Sequence, residues 1–198
     1  LPLRTALLIF TEAGIYRLTG VSQSSFQVTL LDNTAKLLAP DSAVVLENNV
    51  YGLFDQGVCK VSDSVQVLSR PIEGQLLTYR GATGDTIKQA FGIGYESDRK
   101  YMLHISTTIG NTTPDLVYVY NTVTETWTNY DLNKKFGIIN PVDDRIYLCA
   151  EDNVAKERKN FIESDIADEQ LEFTVSAVTD NLITVPSATA TAARVGDL

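Results

Sequence analysis

The chain has 198 residues, 44% of them hydrophobic and 21% charged, so it is long and apolar enough to bury a core and is not intrinsically disordered. Its 25 acidic and 16 basic residues give a formal net charge of −9, which excludes docking on nucleic acid or anionic lipid by bulk electrostatic attraction. No apolar run approaches the roughly 20 residues that a membrane span needs. No basic-then-apolar signal segment opens the chain, so we expect a soluble protein.

The two ends of the sequence indicate a piece of a longer polypeptide. The first residue is Leu1 rather than methionine, and residues 195–198 have the pattern of the beginning of another strand. We therefore expect the chain to be a fragment.

Residues 6–20 predict a β-hairpin whose pattern returns later in the chain. An apolar strand leads into a Thr-Glu-Ala-Gly turn and an alternating second strand, and Gly14 supplies the positive φ that a tight turn needs. When Gly57 is aligned with Gly14, at an offset of 43 residues, the acidic, aliphatic and basic positions of residues 50–63 match those of the first hairpin. We therefore predict a second hairpin of the same kind at residues 50–63.

Another repeat links residues 91–105 with residues 136–150 at an offset of 45 residues. Both segments begin with Phe-Gly-Ile and continue as a strand, a polar turn and a second strand. Residues 43–53 follow the same plan, with Asn48-Asn49 at the tip of the turn. Each repeat thus combines two hairpins, or four short strands.

The remaining segments differ in how strongly they predict strands. Residues 116–132, LVYVYNTVTETWTNYDL, alternate on both sides of a polar turn and predict a hairpin. Residues 73–90 lack strict alternation, so we predict a connector with a helical turn at residues 85–90. The acidic residues 151–172 leave a short helix and an extended linker as alternatives. Residues 171–185 alternate around Thr-Asp-Asn and predict a further hairpin.

Repeats of about 40 to 50 residues with four strands each are typical of propeller blades. Because one blade cannot bury both of its faces, blades must stack around an axis. We predict an all-β fold: a β-propeller-like array of four-stranded antiparallel blades, part of a larger propeller, plus a small C-terminal β-unit. The array is expected to cover residues 1–162, with four blades at residues 1–38, 39–80, 91–132 and 136–161. The linker and the small unit are expected to cover residues 163–198.

No motif predicts catalytic or cofactor chemistry. His104 is the only histidine and no Gly-x-Ser-x-Gly elbow accompanies it, so we interpret it as a structural or surface residue. The glycine-containing residues 81–85 and 92–94 fail both phosphate-loop patterns. Cys59 and Cys149 lack metal-binding spacing and are interpreted as buried, reduced thiols. We therefore expect no cofactor, no metal and no enzymatic activity.

Three carboxylates, Asp55, Asp98 and Asp143, fall at predicted hairpin turns. Asp is favoured there because its side chain caps its own turn. A glycoside hydrolase built on a propeller would instead use two carboxylates that face each other across the axis. We favour turn residues, and a carbohydrate-active enzyme is an alternative that needs at least two of the three to converge.

Four aromatic residues form the candidate binding surface of the predicted hairpin: Trp127, Tyr118, Tyr120 and Tyr130. Such rings can stack on a sugar. On alternating strands, however, half of such residues pack between sheets, so we favour core packing. A carbohydrate- or protein-binding β-propeller module is the alternative.

The same hairpin resembles that of kelch-like propeller blades. The likeness is carried by Tyr118-Val119-Tyr120-Asn121 and by Thr126-Trp127-Thr128-Asn129-Tyr130. The chain lacks the double glycine that precedes this hairpin in kelch proteins, so the substrate-adaptor function of those proteins is not transferred.

Further segments resemble the propeller-containing tail nozzle or hub proteins of short-tailed bacteriophages. These segments are residues 49–73, residues 157–169, the Val-Thr-Asp-Asn hairpin at residues 178–181 and the Val-Gly-Asp ending at residues 195–197. The resemblance implies a non-enzymatic virion structural protein of a phage or prophage tail, assembled in the bacterial host cytoplasm. It implies a ring of identical subunits at the end of the tail tube, with other copies of the chain and neighbouring tail proteins as partners. DNA would pass through this ring without specific binding. The resemblance implies no catalytic residues.

Overall fold

The computed structural model describes residues 1–150, 153–157, 172–174, 177–179 and 182–184. Apart from one helix and three short 3-10 segments, the regular elements are antiparallel strands, so the all-β prediction is confirmed. The chain divides into two compact units, Leu1–Asn133 and Lys134–Leu198. The boundary that the sequence predicts between residues 162 and 163 lies outside the described residues.

Sheet 1 contains three strands in the order β1-β2-β3: β1 (Leu7–Thr11), β2 (Gly14–Thr19) and β3 (Gln27–Asp32). The hairpin predicted at residues 6–20 is confirmed by the pairing of β1 with β2. Gly14 has a φ of 143°, and a Cβ atom there would lie 2.4 Å from the carbonyl oxygen of Asp32. Glycine is therefore required at this turn both for its backbone conformation and for its lack of a side chain.

Sheet 2 contains four strands in chain order: β4 (Val44–Leu46), β5 (Asn49–Phe54), β6 (Gly57–Val61) and β7 (Val65–Val67). Both predicted hairpins of this region are confirmed. The first turn sits one residue earlier than predicted, because Asn49 already pairs with Leu46. Glu47 and Asn48 form its tip with φ angles of 51° and 60°, the conformation of a two-residue hairpin turn.

The connector after β7 is helical over more of its length than predicted. Helix α1 covers Glu73–Thr83 and continues into a 3-10 segment at Gly84–Gln89, where the sequence predicts a single helical turn. Leu76 of α1 is buried in the core, and Ile72 and Tyr79 pack beside it. This helix therefore gains its stability from tertiary packing, which outweighs the poor helix propensity of its Gly and Thr residues.

Sheet 3 also contains four strands in chain order: β8 (Phe91–Tyr95), β9 (Lys100–Ile105), β10 (Leu116–Asn121) and β11 (Thr126–Asp131). The hairpins predicted at residues 91–105 and 116–132 are confirmed. The side chain of Asn121 closes the β10–β11 turn, because its oxygen accepts hydrogen bonds from the N–H groups of Val123 and Thr124.

Two apolar clusters hold these sheets together. The first cluster lies between sheets 1 and 2 and contains Leu8, Ile15, Ala35, Val50, Phe54, Cys59 and Val61. The second cluster joins sheets 2 and 3 and α1, and it includes Leu46, Tyr51, Leu53, Val58, Leu76, Tyr101, Leu103, Ile105, Tyr118 and Tyr120. Successive residues of β5 enter different clusters, as expected for a strand that is buried on both faces. Burial of each large side chain contributes about 1.5–3 kcal/mol.

Strand β8 approaches β4 and the residue Ser42 that precedes it closely at two glycine positions. A Cβ atom on Gly92 would lie 2.3 Å from the carbonyl oxygen of Ser42, and one on Gly94 would lie 3.2 Å from Val44. The hydroxyl of Tyr101 donates a hydrogen bond to the same Ser42 carbonyl at 3.0 Å. Sheets 2 and 3 are therefore joined by a specific polar contact as well as by apolar packing.

The second unit contains sheet 4, in the order β12-β13-β14-β15: β12 (Phe136–Asn140), β13 (Arg145–Cys149), β14 (Asn153–Lys156) and β15 (Glu172–Thr174). A separate hairpin pairs β16 (Ala177–Thr179) with β17 (Leu182–Thr184). The predicted hairpin at residues 136–150 is confirmed by the pairing of β12 with β13, and the one at residues 171–185 by the pairing of β16 with β17. Strand β15 differs from expectation, because it pairs with β14 and completes sheet 4. Of the acidic segment 151–172, residues 153–156 are strand and most of the rest lies outside the described residues.

Candidate functional site

Three of the four aromatic residues of the candidate surface point into the core. Tyr118 and Tyr120 are buried, and Trp127 packs against the second cluster. The ring centroid of Trp127 lies 5.0 Å from that of Tyr120 and 6.4 Å from that of Tyr118. Because both tyrosine rings are enclosed, they present no face on which a sugar can stack. Tyr118 and Tyr120 are therefore core residues, which is the interpretation that the sequence analysis favours.

Tyr130 lies on the opposite face of sheet 3 and is 41% exposed. It pairs across the sheet with Val117, whereas Trp127 pairs with Tyr120. The hairpin therefore does not bring the four rings onto one surface. Alternation places residues 127 and 130 on opposite sides of the strand, but it does not show which side is buried.

Burial keeps the phenol groups of this core neutral. Desolvation is the main cause that raises the pKa of Tyr51 to about 12 and that of Tyr118 to about 12. The hydroxyl of Tyr118 donates a hydrogen bond to Oε1 of Gln75 in α1 at 3.0 Å. Both phenols are too weakly acidic for acid–base catalysis near neutral pH.

His104 is fully buried and stacks on Phe91, with ring centroids 4.2 Å apart and an interplanar angle of 11°. Within the described residues, neither of its ring nitrogens has a hydrogen-bond partner. Burial lowers its pKa to about 3, so the ring is neutral at physiological pH. This environment agrees with the structural interpretation of His104, since the buried ring contacts no hydroxyl or thiol of the described residues from which it could accept a proton as the base of a catalytic triad.

Two of the turn carboxylates pair with side chains on neighbouring strands of their own sheets. Asp98 forms an ion pair with Lys100 at 3.1 Å. Asp143 accepts a hydrogen bond from the hydroxyl of Tyr147 at 2.8 Å and pairs with Lys156 at 3.1 Å. Desolvation of Asp143 acts in the opposite direction, but these contacts hold the pKa of its carboxyl below the usual value.

Asp55 also has a structural partner. Its Oδ1 accepts a hydrogen bond from the backbone N–H of Lys36 at 2.9 Å, and its own N–H donates to the Lys36 carbonyl at 2.9 Å. Asp55 and Asp98 lie at the turns of different sheets in the first unit, and Asp143 lies in the second unit. The carboxylates therefore act as turn residues, as favoured from the sequence.

The cysteines are separate thiols. Cys59 is buried, Cys149 is half-buried, and no disulfide joins them. Burial raises the pKa of Cys59 to about 12, which removes its reactivity as a thiolate. In the part of the chain that the structure describes, no group of three or more His, Cys, Asp and Glu side chains is arranged to hold a metal ion.

A small cavity lies beside α1. Its volume is about 110 Å³, and its walls are formed by Leu38, Leu53, Phe54, Asp55, Gln56, Gly57, Ser69, Glu73, Leu76, Leu77 and Ile87. Pockets for small molecules usually measure roughly 300–1,000 Å³. This cavity is therefore too small for a metabolite. The sequence pattern does not predict it, because its walls come from separate segments of the chain.

The outer face of sheet 1, opposite the first cluster, is apolar and exposed. The strand registers place these residues together on that face: Leu7, Ile9, Tyr16, Leu18, Val28 and Leu30. Val28 is 61% exposed and Leu30 is 53% exposed. The exposed face of a half-buried sheet is ordinarily polar. This face is therefore a candidate interaction surface.

Sheet 4 presents a second face with exposed apolar residues. Phe136 is 52% exposed and Ile138 is 58% exposed, and the strand registers place them with Tyr147, Cys149, Val154 and Lys156, which pairs with Asp143. On the opposite face Ile146 and Ala155 are buried. Sequence alternation predicts that these strands are apolar, but it does not predict which apolar residues stay exposed.

Comparison of the chain with models of known protein families gives no match, and comparison with curated proteins gives no significant match. Over the described residues, no helix has the length and apolar character required to cross a bilayer.

Proposed function

We propose that the chain is a non-enzymatic structural protein, part of a β-propeller that serves as an assembly component of a phage or prophage tail. The observation that carries this proposal is the face-to-face stacking of sheets that share one sequence repeat. Stacked antiparallel sheets of this kind bury their faces against one another and leave only short edges, which makes them durable assembly parts.

The sequence repeat supports an arrangement in which the same face of each sheet contacts the sheet that follows it in the chain. At the offset of 43 residues, Leu8 and Ile15 of sheet 1 correspond to Tyr51 and Val58 of sheet 2. The first pair packs in the cluster shared with sheet 2, and the second pair packs in the cluster shared with sheet 3. Equivalent faces thus contact the next sheet along the chain, as blades do in a propeller.

The non-enzymatic character is supported by the way the candidate groups are used. His104 is buried and stacked on Phe91, and Trp127 donates its indole hydrogen bond within the fold. Asp143 is held by Tyr147 and Lys156. Each of these groups already makes packing or hydrogen-bond contacts within the fold. Such contacts favour a structural protein over an enzyme with a catalytic site.

The position in a phage tail rests on the resemblance of residues 49–73 and of the C-terminal segments to tail nozzle and hub proteins. The net charge of −9 is compatible with a conduit through which DNA passes without being held, because acidic surfaces repel phosphates. Other copies of the chain and neighbouring tail proteins are the partners in this proposal.

Purification of virions tests the proposal. Particles induced from the bacterium that encodes the chain would be banded on a density gradient, disrupted, and analysed by quantitative mass spectrometry. We expect the chain in a fixed copy number per particle that is a multiple of the tail symmetry. Its absence from banded particles, with the protein recovered only from the free fraction, would contradict a virion role.

A binding module is the second candidate, and the exposed ring of Tyr130 favours it. Trp127 lies on the opposite, core-facing side of β11, so its fluorescence would not report directly on a ligand at Tyr130. Saturable binding of glycans measured by isothermal titration calorimetry, abolished by Tyr130→Ala, would favour this candidate over a purely structural role.

A further inference from the structure

We propose that the cavity beside α1 is an anchoring pocket for one lysine side chain of a partner protein. This inference goes beyond the proposed function and does not depend on it, because every residue that forms the pocket belongs to the first unit.

The cavity has the size of a single side chain. Its volume is about 110 Å³, and a cavity of roughly 150 Å³ admits a molecule the size of benzene. In protein interfaces, side chains that fill such pockets contribute much of the affinity. A cavity that is too small for a metabolite is therefore still suited to one inserted side chain.

One wall of the cavity is apolar and fixed in shape. It is formed by four buried residues: Leu53, Phe54, Leu76 and Ile87. These side chains also pack in the two apolar clusters of the fold, so the wall is in place before a partner binds. A preformed pocket lowers the entropic cost of association, and an apolar wall suits the methylene stem of a long side chain.

Two carboxylates lie on the more exposed wall of the same cavity. Asp55 is half-buried, and its Oδ1 accepts a hydrogen bond from the backbone N–H of Lys36 at 2.9 Å, which orients the carboxylate. Glu73 is 43% exposed and pairs with Arg70 at 3.3 Å. An exposed pair of this kind contributes little energy, so Glu73 can exchange Arg70 for another cation. An ammonium group that enters the cavity would meet both carboxylates.

Ser69 adds a buried hydroxyl to the wall of the cavity. Its oxygen accepts a hydrogen bond from the backbone N–H of Val58 at 3.0 Å. A Cβ atom on Gly57 would lie 2.2 Å from this oxygen, so glycine leaves open the space beside the hydroxyl. Because a hydroxyl oxygen has two lone pairs, Ser69 can accept a second hydrogen bond from an occupant of the cavity.

The combination of these walls selects lysine among the side chains. A leucine or methionine side chain would fill the apolar part but would desolvate the carboxylates without giving them a partner, which is costly. Lysine has a flexible four-carbon stem and a compact ammonium group with three donors. The stem matches the apolar wall, and the ammonium matches the carboxylates and the hydroxyl. The net charge of −9 also favours the approach of a basic partner.

Titration of the isotope-labelled protein with Nα-acetyl-lysine methylamide, followed by NMR, tests the pocket. A norleucine analogue keeps the stem and lacks the ammonium, and an Nε-acetyl-lysine analogue keeps the stem and removes the charge. We expect saturable shifts of the amide signals of Gln56, Gly57 and Leu77, with a low-millimolar Kd for the lysine derivative. Both analogues should bind at least about 10-fold more weakly, because they lose hydrogen bonds to charged groups.

Two variants remove one charge each with little change in shape. Asp55→Asn and Glu73→Gln should each weaken binding of the lysine derivative by about 10-fold. Glu12→Gln is the matched control, because Glu12 corresponds to Asp55 at the offset of 43 residues, is exposed and lies outside the cavity. The control should bind as the wild type does. The amide spectrum of each variant without the probe checks that it is folded.

Equal binding of the lysine and norleucine derivatives would overturn the inference, because the pocket would then recognise only the stem. Shifts that grow linearly with concentration, or that are as large at Glu12 as at Gln56, would also overturn it, since they indicate unspecific attraction to acidic residues. Unchanged binding in both Asp55→Asn and Glu73→Gln would exclude the carboxylates from recognition.

The proposed function and the pocket fail independently. Absence of the chain from purified particles contradicts the tail role and leaves a saturable lysine site unaffected. Absence of saturable binding contradicts the pocket and leaves the presence of the chain in particles unaffected.

Discussion

Trp127 and Leu68 are joined by a hydrogen bond: the indole Nε1–H of Trp127 donates to the main-chain carbonyl of Leu68 at 3.1 Å. Trp127 lies in β11 of sheet 3, and Leu68 follows β7 of sheet 2. The N–H of Leu68 in turn donates to the carbonyl of Val58 in β6 at 2.8 Å. The indole has a single donor, and here it fixes an edge strand of one sheet to the end of the adjacent sheet.

Replacement of Trp127 by Phe should lower the free energy of unfolding by about 1–3 kcal/mol, because it leaves the Leu68 carbonyl without this donor and removes part of the packed ring. Urea unfolding followed by circular dichroism measures the change. Val123→Ala at the exposed turn of the same hairpin is the control and should stay within about 0.5 kcal/mol of wild type. A Trp127→Phe variant as stable as wild type would contradict the structural role of the indole.

His104 should make stability depend on pH. Its pKa is about 3 in the folded protein and about 6.5 as a free side chain, so between these values the unfolded chain binds the proton and the folded chain does not. Stability should therefore be fully present above pH 6.5 and fall as the pH decreases toward 3, with a limiting slope of about 1.4 kcal/mol per pH unit.

Urea unfolding of wild type and His104→Phe at several pH values between 7.5 and 5 tests this dependence. The Phe ring keeps the stacking on Phe91 and removes the titrating group. The variant should lose less stability than wild type over this range, and no other histidine contributes to the difference. Identical pH profiles would show that His104 is accessible to protons in the folded protein.

Two glycines should respond in opposite ways to replacement by alanine. At Gly92 the added Cβ would lie 2.3 Å from the Ser42 carbonyl oxygen, so Gly92→Ala should destabilise the protein by about 1–3 kcal/mol through overpacking. At Gly74, in the first turn of α1, the added Cβ meets no atom within 4 Å. Gly74→Ala should therefore be neutral or stabilising by up to about 1 kcal/mol, through helix propensity.

The difference in melting temperature between these two variants is the quantity to compare. A Gly92→Ala variant that melts with the wild type would show that β8 does not approach the Ser42 carbonyl as closely as 2.3 Å for an added Cβ implies. A strong loss of stability in Gly74→Ala would contradict the placement of Gly74 in the first turn of α1 with open space beside it.

The two cysteines should differ in reactivity. Cys59 is fully buried and burial raises the pKa of its thiol to about 12, whereas Cys149 is half-buried. An aromatic disulfide reagent should therefore label one thiol per folded chain quickly and the second only after unfolding. Cys149→Ser should remove the fast phase and Cys59→Ala should leave it; rapid labelling of Cys149→Ser would contradict the burial of Cys59.

The hairpins could be predicted because their signals are local. Alternation of apolar and polar residues and a glycine such as Gly14 or Gly57 at the turn are enough to specify two paired strands. Helix α1 could not be predicted in this way, because Leu76 contributes to its stability only after it packs against the sheets. The sequence predicts one hairpin over residues 171–185 and not the pairing of β15 with β14, because that pairing joins segments that are distant in sequence.

The candidate surface shows a second limit of sequence patterns. Alternation separates Trp127 from Tyr130 but does not say which of the two sides is covered. Likewise, the apolar residues Val28 and Ile138 fit a buried strand in sequence, and only the structure shows that their side chains are more than half exposed. The burial of a residue on a sheet depends on what packs above it, and that neighbour is not encoded in the strand itself.

The most direct test of the structural account is immunogold electron microscopy with an antibody to this chain, on particles induced from the bacterium that encodes it. We predict gold label at the tip of a short tail, at a position compatible with a ring of subunits. Absence of label from both intact and opened particles, with the protein found free in solution, would contradict a tail component and favour the glycan-binding alternative.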